Sequence, residues 1–220
     1  MIAVIVPAHD EADCIQACLA SIQVAARCPL LRNEAVRIVV ALDACTDDTG
    51  LHARAMGATT VELQARNVGQ ARWLGAHVAL QAGARWLAFT DADTLVAPNW
   101  LSAQMALQCD AVCGTVQVDD WGAHSAQTRA RHDAAYLDAD GHGHIHGANL
   151  GVCALAYQDV GGFPALSSSE DVALVTALQQ NGACVVFSAA PRVSTSARRA
   201  YRAPLGFGAT LERLHHDAHS

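Results

Sequence analysis

Three short, almost wholly apolar runs, each followed by acidic residues, constrain this chain more than anything else in it. Ile2-Ala3-Val4-Ile5-Val6 leads into Pro7-Ala8-His9-Asp10-Glu11, Val36–Leu42 into Asp43, and Trp86-Leu87-Ala88-Phe89-Thr90 into Asp91-Ala92-Asp93-Thr94. Near-continuous apolar strands belong in sheets covered on both faces. The stretches between them carry helical signals: about Glu11–Ala26, a short helix ending near Met56 before Gly57, and a helix that follows Arg66-Asn67-Val68-Gly69 and runs to about Ala82 before Gly83. A weaker strand lies at Thr59–Leu63. Strand and helix in alternation predict an α/β fold with a mostly parallel central sheet. Parallel strands share their C-terminal edge, where such folds place ligands. The three acidic turns therefore converge, and would repel one another unless a cation or hydrogen-bond donors sat among them.

The second half is less regular. It reads as a helix at about 99–107, a strand at 111–118, a polar helical stretch to about 138 and a histidine-containing loop. A strand at 145–152, a strong helix at 170–180, a strand at 183–187, an extended piece at 192–195 and a final helix at about 206–215 follow. With no linker and no repeat, 1–220 reads as one domain. Hydrophobic residues make up 52% and charged ones 16%, which excludes a disordered chain, and the net charge of −7 argues against nucleic acid as a partner. All fourteen basic residues are arginine. Eight cysteines without a CxxC, a start without a signal peptide and no apolar run of membrane-spanning length predict a cytoplasmic protein; peripheral association with the inner membrane stays open.

Asp91 and Asp93 end the third run at spacing i, i+2. In extended geometry such side chains point the same way, so both could converge on one hard cation. The competing reading is a turn whose aspartates only cap the next helix. There is no G-x-G-x-x-G after the first strand and no G-x-x-x-x-G-K-[ST], so any phosphate bound here is neutralised by metal and arginine.

Taken in order, Val4-Ile5-Val6-Pro7-Ala8-His9-Asp10-Glu11, Leu42-Asp43-Ala44-Cys45-Thr46-Asp47-Asp48-Thr49, Asn67-Val68-Gly69-Gln70-Ala71-Arg72, Asp91-Ala92-Asp93, His146-Gly147-Ala148-Asn149, Gly161-Gly162-Phe163 and Ser169-Glu170-Asp171 resemble a family 2 glycosyltransferase of the GT-A fold. That resemblance implies a Rossmann-like three-layer sandwich, with 1–97 its nucleotide-binding half and 98–220 its acceptor-binding half, and a nucleotide-sugar donor, a UDP-sugar by family habit. It places Pro7, His9 and Glu11 around the nucleoside, Asp43 on the base, and Arg72 near the base or diphosphate. Asp93, with Asp91, would hold Mg²⁺ or Mn²⁺ on the diphosphate. Asp171 of Glu170-Asp171 would be the general base of an inverting transfer to an acceptor hydroxyl; the same residues also read as a helix start.

Two departures from the family pattern matter. Asp10 stands where asparagine is common, adding a negative charge near the diphosphate. Val193-Ser194-Thr195-Ser196 offers no histidine to complete a metal shell. Arg198 and Arg199 could clamp the diphosphate instead, or form a solvated basic surface. Trp121, His146 and Asn149 are candidates for acceptor contact, with Glu170 beside them; Trp100 and Tyr136 read equally well as core. His142, His144 and His146 alternate as zinc ligands can, but no cysteine or carboxylate follows at a familiar spacing, which favours a loop near the acceptor. His215, His216 and His219 read as a fraying tail.

Three other functions compete. Phe89-Thr90-Asp91-Ala92-Asp93-Thr94 fits the nucleophile motif of haloacid-dehalogenase-like phosphatases, but lies late in the chain, and the lysine usual there cannot exist in a lysine-free sequence. A nucleotidyltransferase would need a basic glycine-rich first loop. A non-catalytic nucleotide-sugar-binding protein would need no base at Asp171.

Overall fold

The computed structural model describes residues 1–121, 125–166 and 168–196. Strands β1 (Ile2–Ala8), β2 (Val36–Asp43), β3 (Thr59–Leu63) and β4 (Trp86–Phe89) alternate with helices α1 (Ile15–Ala26), α2 (Thr49–Ala55) and α3 (Val68–Gln81). After β4 come β5 (Thr94–Val96), α4 (Trp100–Ala106), β6 (Ala111–Asp120) and α5 (Ala126–Ala135). The described chain ends with β7 (Leu150–Cys153), α6 (Ala154–Asp159), α7 (Glu170–Gln180) and β8 (Val185–Ser196). One sheet runs through both halves in the order β3-β2-β1-β4-β7-β6-β8-β5.

Successive strand residues face opposite sides, and both sides are apolar. Ile2, Val4, Val6, Trp86 and Ala88 join the α1 side chains Ile15, Leu19 and Ile22 and the α4 side chains Trp100 and Leu101 in one cluster. Ala3, Ile5, Leu87, Phe89, Leu150 and Val152 join α3, Tyr157 of α6, and Leu174, Val175 and Leu178 of α7 in the other. The result is the three-layer sandwich expected. Helix α3 lies very close to β1: a Cβ on Gly75 would stand 2.6 Å from Ile5 Cγ2.

The sheet is mixed, however, and the expectation of a mostly parallel one is corrected. β1 pairs in parallel with β2 and β4, β2 with β3, and β6 with β8; β7 runs against both β4 and β6, and β5 against β8. The pairing of Phe89 with Leu150 shows why. β7 is entered from the edge at which β1, β2 and β4 end, so it must run backwards, and the residues before it lie on the ligand edge. A second correction follows: 145–152 is not one strand, because Gly147–Asn149 forms a 3-10 turn before β7 begins. The separate pieces at 183–187 and 192–195 are one strand, β8, with a register shift where Gly114 pairs with Ser188 and Thr115 with Arg192. The final helix expected near 206–215, with His215, His216 and His219, lies outside the described residues.

Asn149 fixes this second half. Its Oδ1 accepts the indole N–H of Trp100 at 2.9 Å, and its Nδ2 donates to the carbonyls of Thr115 at 2.7 Å and Pro191 at 2.8 Å. Three elements thus meet on one amide that is only 1% exposed. Replacing it with alanine leaves a buried donor and two buried acceptors unpaired. Asn149→Ala is expected to lose about 2–4 kcal/mol, read as a lower urea midpoint at unchanged slope.

Candidate active site

The edge where β1, β2 and β4 end carries the acidic turns, and hydrogen bonds from the backbone resolve most of their repulsion. Asp43, 4% exposed, accepts the N–H groups of Ala65 and Arg66 on Oδ1, both at 2.8 Å, and that of Asn67 on Oδ2 at 2.7 Å. Its carboxylate therefore holds the loop leading into α3, where Asn67 Oδ1 caps the helix by accepting the N–H of Gln70. Asp10 accepts the N–H groups of Thr46 at 2.6 Å and Asp47 at 3.2 Å. The Thr46 bond in particular holds the Asp10 carboxyl below its ordinary range. Burial works against Asp47, but bonds from Thr49 and Ala12 prevail and lower its pKa as well. The negative charge of Asp10 is thus spent on bracing the turn after β2. The imidazole of His9 reaches the same turn, its Nδ1 lying 2.6 Å from the Asp43 carbonyl. Glu11 anchors by its backbone, donating N–H to Thr49 Oγ1 at 2.7 Å, and Pro7 is buried in β1.

Four of the seven non-glycine residues with positive φ among those described sit in these loops and at the start of α7: Asp10, Ala44, Arg66 and Ser169. Left-handed backbone at such residues costs energy and collects where the surrounding structure over-determines it.

Asp91 and Asp93 do not continue an extended strand. β4 ends at Phe89, and the N–H of Thr94 closes a turn by donating to the Asp91 carbonyl at 3.1 Å. The strand alternation expected to align the pair therefore does not govern it. Cys18 packs beneath this turn, its Sγ donating to the Asp91 carbonyl; burial, and then the charges of Asp91 and Asp93, push its thiol upward. Asp91 Oδ1 accepts Arg72 Nη2 at 2.6 Å.

Arg72 is 4% exposed, and its other arm, Nη1, donates to Glu170 Oε1. Its charge is reinforced: burial alone would lower its pKa, but Asp91, Glu170 and Asp171 outweigh that. For Glu170, also 4% exposed, burial pushes the carboxyl up more than Arg72 pulls it down. The next residue, Asp171, is half-buried and faces elsewhere; its Oδ2 accepts the N–H of Gly147 at 2.8 Å and its Oδ1 that of Val172 at 2.8 Å. Ser169 precedes the helix but gives it no side-chain cap.

The edge thus brings together Asp91, Asp93, Arg72, Glu170, Asp171 and Gly147, contributed by both halves of the chain. A family model, glycosyl transferase family 2, matches residues 3–151. The chain belongs to glycosyl transferase family 2. Solved structures share its fold at low identity. S. aureus TarS superposes with a TM-score of 0.66 at 15% identity, over 98% of this chain and 42% of that one. The mannosyltransferase PcManGT from Pyrobaculum calidifontis gives 0.68 at 20% identity, over 90% and 57%. Glucosyl-3-phosphoglycerate synthase from Mycobacterium tuberculosis gives 0.64 at 16%, over 90% and 72%. The chain therefore spans about half the length of the first two. A comparison with curated proteins finds no match.

The remaining candidates separate. Asn149 is interior, its amide taken up by the fold as described above, so its side chain is not presented to an acceptor. Glu170 is likewise turned inward to Arg72. Trp121 packs edge-on against His132, ring centres 5.3 Å apart. His146 joins a column of rings: Tyr136 stacks on His144 at 4.0 Å and 3°, and His146 lies 5.9 Å from Tyr136. Tyr136 Oη accepts the N–H of Val116 at 2.8 Å and hydrogen-bonds with His146 Nε2, 3.1 Å away. Arg198 and Arg199 lie outside the described residues. The sequence reading had not singled out the Gly147 N–H, the Phe163 ring 5.8 Å from the Arg72 guanidinium, or Cys18. All lay in segments noted for other reasons; only their distant partners reveal them.

Burial, with His144 beside it, pushes His146 down to about 4. A histidine whose folded pKa is depressed contributes stability that is present above its unfolded value and lost as pH falls through the folded one. Between about pH 6.5 and 4, the wild type is expected to lose roughly 2 kcal/mol more than His146→Gln, measured by urea midpoints across that range.

Proposed function

We propose that the protein is a metal-dependent, inverting glycosyltransferase that moves a sugar from a nucleoside-diphosphate sugar to an acceptor hydroxyl. The observation that carries this reading is the meeting of the Asp91–Asp93 turn with Asp171 on one sheet edge, joined through Arg72 and Glu170. A leaving diphosphate and an attacking hydroxyl need separate carboxylates, and the site supplies them at opposite ends of one ion-pair chain.

The donor set at the turn fits a hard divalent ion. Asp91 is 37% exposed at its side chain, Asp93 is half-exposed, and both offer oxygen only. The one described trio whose ligand atoms already converge is Asp10, Cys45 and Asp47, apart from this turn. Ions shared with a substrate's phosphates use one or two carboxylates and no ready-made protein cage, so the Asp91–Asp93 turn suits Mg²⁺ or Mn²⁺. Such an ion, when bound there, would stabilise the charge growing on the departing diphosphate. The likeness to proteins solved with GDP-Man and Mn²⁺, with UDP-GlcNAc, and with Mn²⁺, UDP and glucosyl-3-phosphoglycerate supports the donor class and the metal. Two of those three carry uridine nucleotides, which makes a UDP-sugar the first choice and a GDP-sugar the comparison.

Asp171 acts as the general base. Its carboxylate is held by the Gly147 N–H and by the first turn of α7, whose end favours negative charge. It takes the acceptor's proton as the oxygen attacks the anomeric carbon on the face opposite the diphosphate. Asp43, Asp10 and Asp47 keep the loops around the nucleoside rigid, with Pro7, His9 and Glu11 beside them. A cytoplasmic location suits eight cysteines that are all free thiols. No described helix is long and apolar enough to cross a membrane.

Asp171→Asn is expected to bind Mn²⁺–UDP like the wild type in a thermal-shift titration, while sugar transfer falls at least about 100-fold. Transfer undiminished in that variant sinks the base assignment, whereas a wild type that binds Mn²⁺–UDP and transfers no sugar returns the protein to a binding role. Transfer undiminished in excess EDTA refutes the metal.

A further inference from the structure

We propose that Arg72 is a positioning residue that sets Asp171 relative to the Asp91–Asp93 turn, by holding Asp91 with one guanidinium nitrogen and Glu170, the neighbour of Asp171, with the other. The proposal rests on Asp171 being the base, and differs from a direct role for Arg72 on the base or diphosphate of the donor. Three observations carry it.

The first is burial. The Arg72 side chain is 4% exposed and both arms are committed within the protein, Nη2 to Asp91 at 2.6 Å and Nη1 to Glu170. A planar fork fixes the separation of two carboxylates in a way that a lysine ammonium cannot.

The second is a closed circuit of contacts. Arg72 holds Glu170, Glu170 precedes Asp171 on α7, and Asp171 accepts the Gly147 N–H at 2.8 Å. Gly147 in turn lies against the guanidinium: a Cβ there would stand 2.4 Å from Arg72 Cζ. The absence of a side chain at 147 lets the backbone that orients Asp171 rest directly on Arg72. The Phe163 ring, 5.8 Å away, completes the enclosure.

The third is incomplete pairing. Arg72 Nε is buried with no acceptor among the described residues. A guanidinium kept only to saturate a core would use that donor; this one is oriented by its two carboxylates.

Two measurements on the full chain test the inference. In the unliganded protein, Arg72→Lys is expected to speed amide exchange at Gly147 at least tenfold, while Ala65, Arg66 and Asn67, whose amides bond Asp43, exchange as in the wild type. With UDP-glucose and MnCl₂ as the probe and water as the acceptor of the glucosyl group, the same variant is expected to lose about 100-fold in kcat for hydrolytic UDP release with KM changed less than threefold, as misplacement of a reacting group predicts. Glu170→Gln, which keeps the shape of the inner partner, shifts both readouts in the same direction by less. Wild-type exchange at Gly147 in Arg72→Lys overturns the proposal, as does a raised KM at unchanged kcat, which would put Arg72 on the donor. An Asp171→Asn variant with full UDP release would instead sink the base assignment, and the Gly147 exchange result would still decide the placement of Asp171.

Discussion

The site depends on one buried cation. A guanidinium removed from water is tolerable only if anions compensate it closely, and Arg72 has two within direct reach. The constraint works in both directions. Asp91 comes from the turn after β4 and Glu170 from the start of α7, 79 positions later in the sequence, so both must come to the same guanidinium. Neither the strand nor the helix alone dictates that meeting. A buried ion pair is weak support for stability, and hydrophobic side chains of similar volume often serve a core as well. What it provides here is a fixed relation between two acidic segments that packing alone would leave loose.

Most of the acidity at the sheet edge serves the backbone. Asp43, Asp10 and Asp47 accept amide N–H groups from loops that follow other strands, so each carboxylate staples two turns together. The electrostatic problem posed by three acidic turns on one edge thus has two solutions in one protein. Backbone donors answer it at β1 and β2, and an arginine answers it at β4. Asp171, beyond the arginine's direct pairs, accepts the Gly147 and Val172 N–H groups. Strained backbone at Asp10, Ala44, Arg66 and Ser169 accompanies this stapling. The bonds that fix the loops also hold these residues where isolated peptides would not stay.

How far the residues announced this arrangement differs along the chain. Up to β4 the apolar runs and the stops at Gly57 and Gly83 delimit the elements, and Thr59–Leu63 is observed as a strand with the expected bounds. β5 was missed because three residues after a polar turn carry no periodicity, and α6 because six residues are too few to show a face. The reversed direction of β7 could not be read at all: side-chain alternation is the same whichever way a strand runs. The role of Asp43 shows the corresponding limit at the site. Its position at the end of a strand gives no hint that it accepts amides 22 to 24 residues away, because backbone amides leave no trace in composition. Asn149 shows the limit from the other side, since a polar residue inside a motif looks like a ligand contact until its buried partners are known.

Glu170 and Asp171 bring these points together. Adjacent residues on a helix point about 100° apart, so two neighbouring acids cannot serve the same partner. The structure uses that separation to divide their work. Glu170 turns inward to Arg72, where burial raises its pKa, and Asp171 turns to the Gly147 N–H at the lip. His146, which stands just before Gly147, is kept neutral by its burial among rings, so it brings no second positive charge beside Asp171. A carboxylate placed this way is held in position by a neutral donor and by its neighbour's ion pair, while no described arginine pairs with it directly. That is the condition under which a carboxylate can accept a proton from a hydroxyl instead of being fully occupied in a salt bridge. The inner acid carries the ion pair, and the outer one is held by backbone N–H groups.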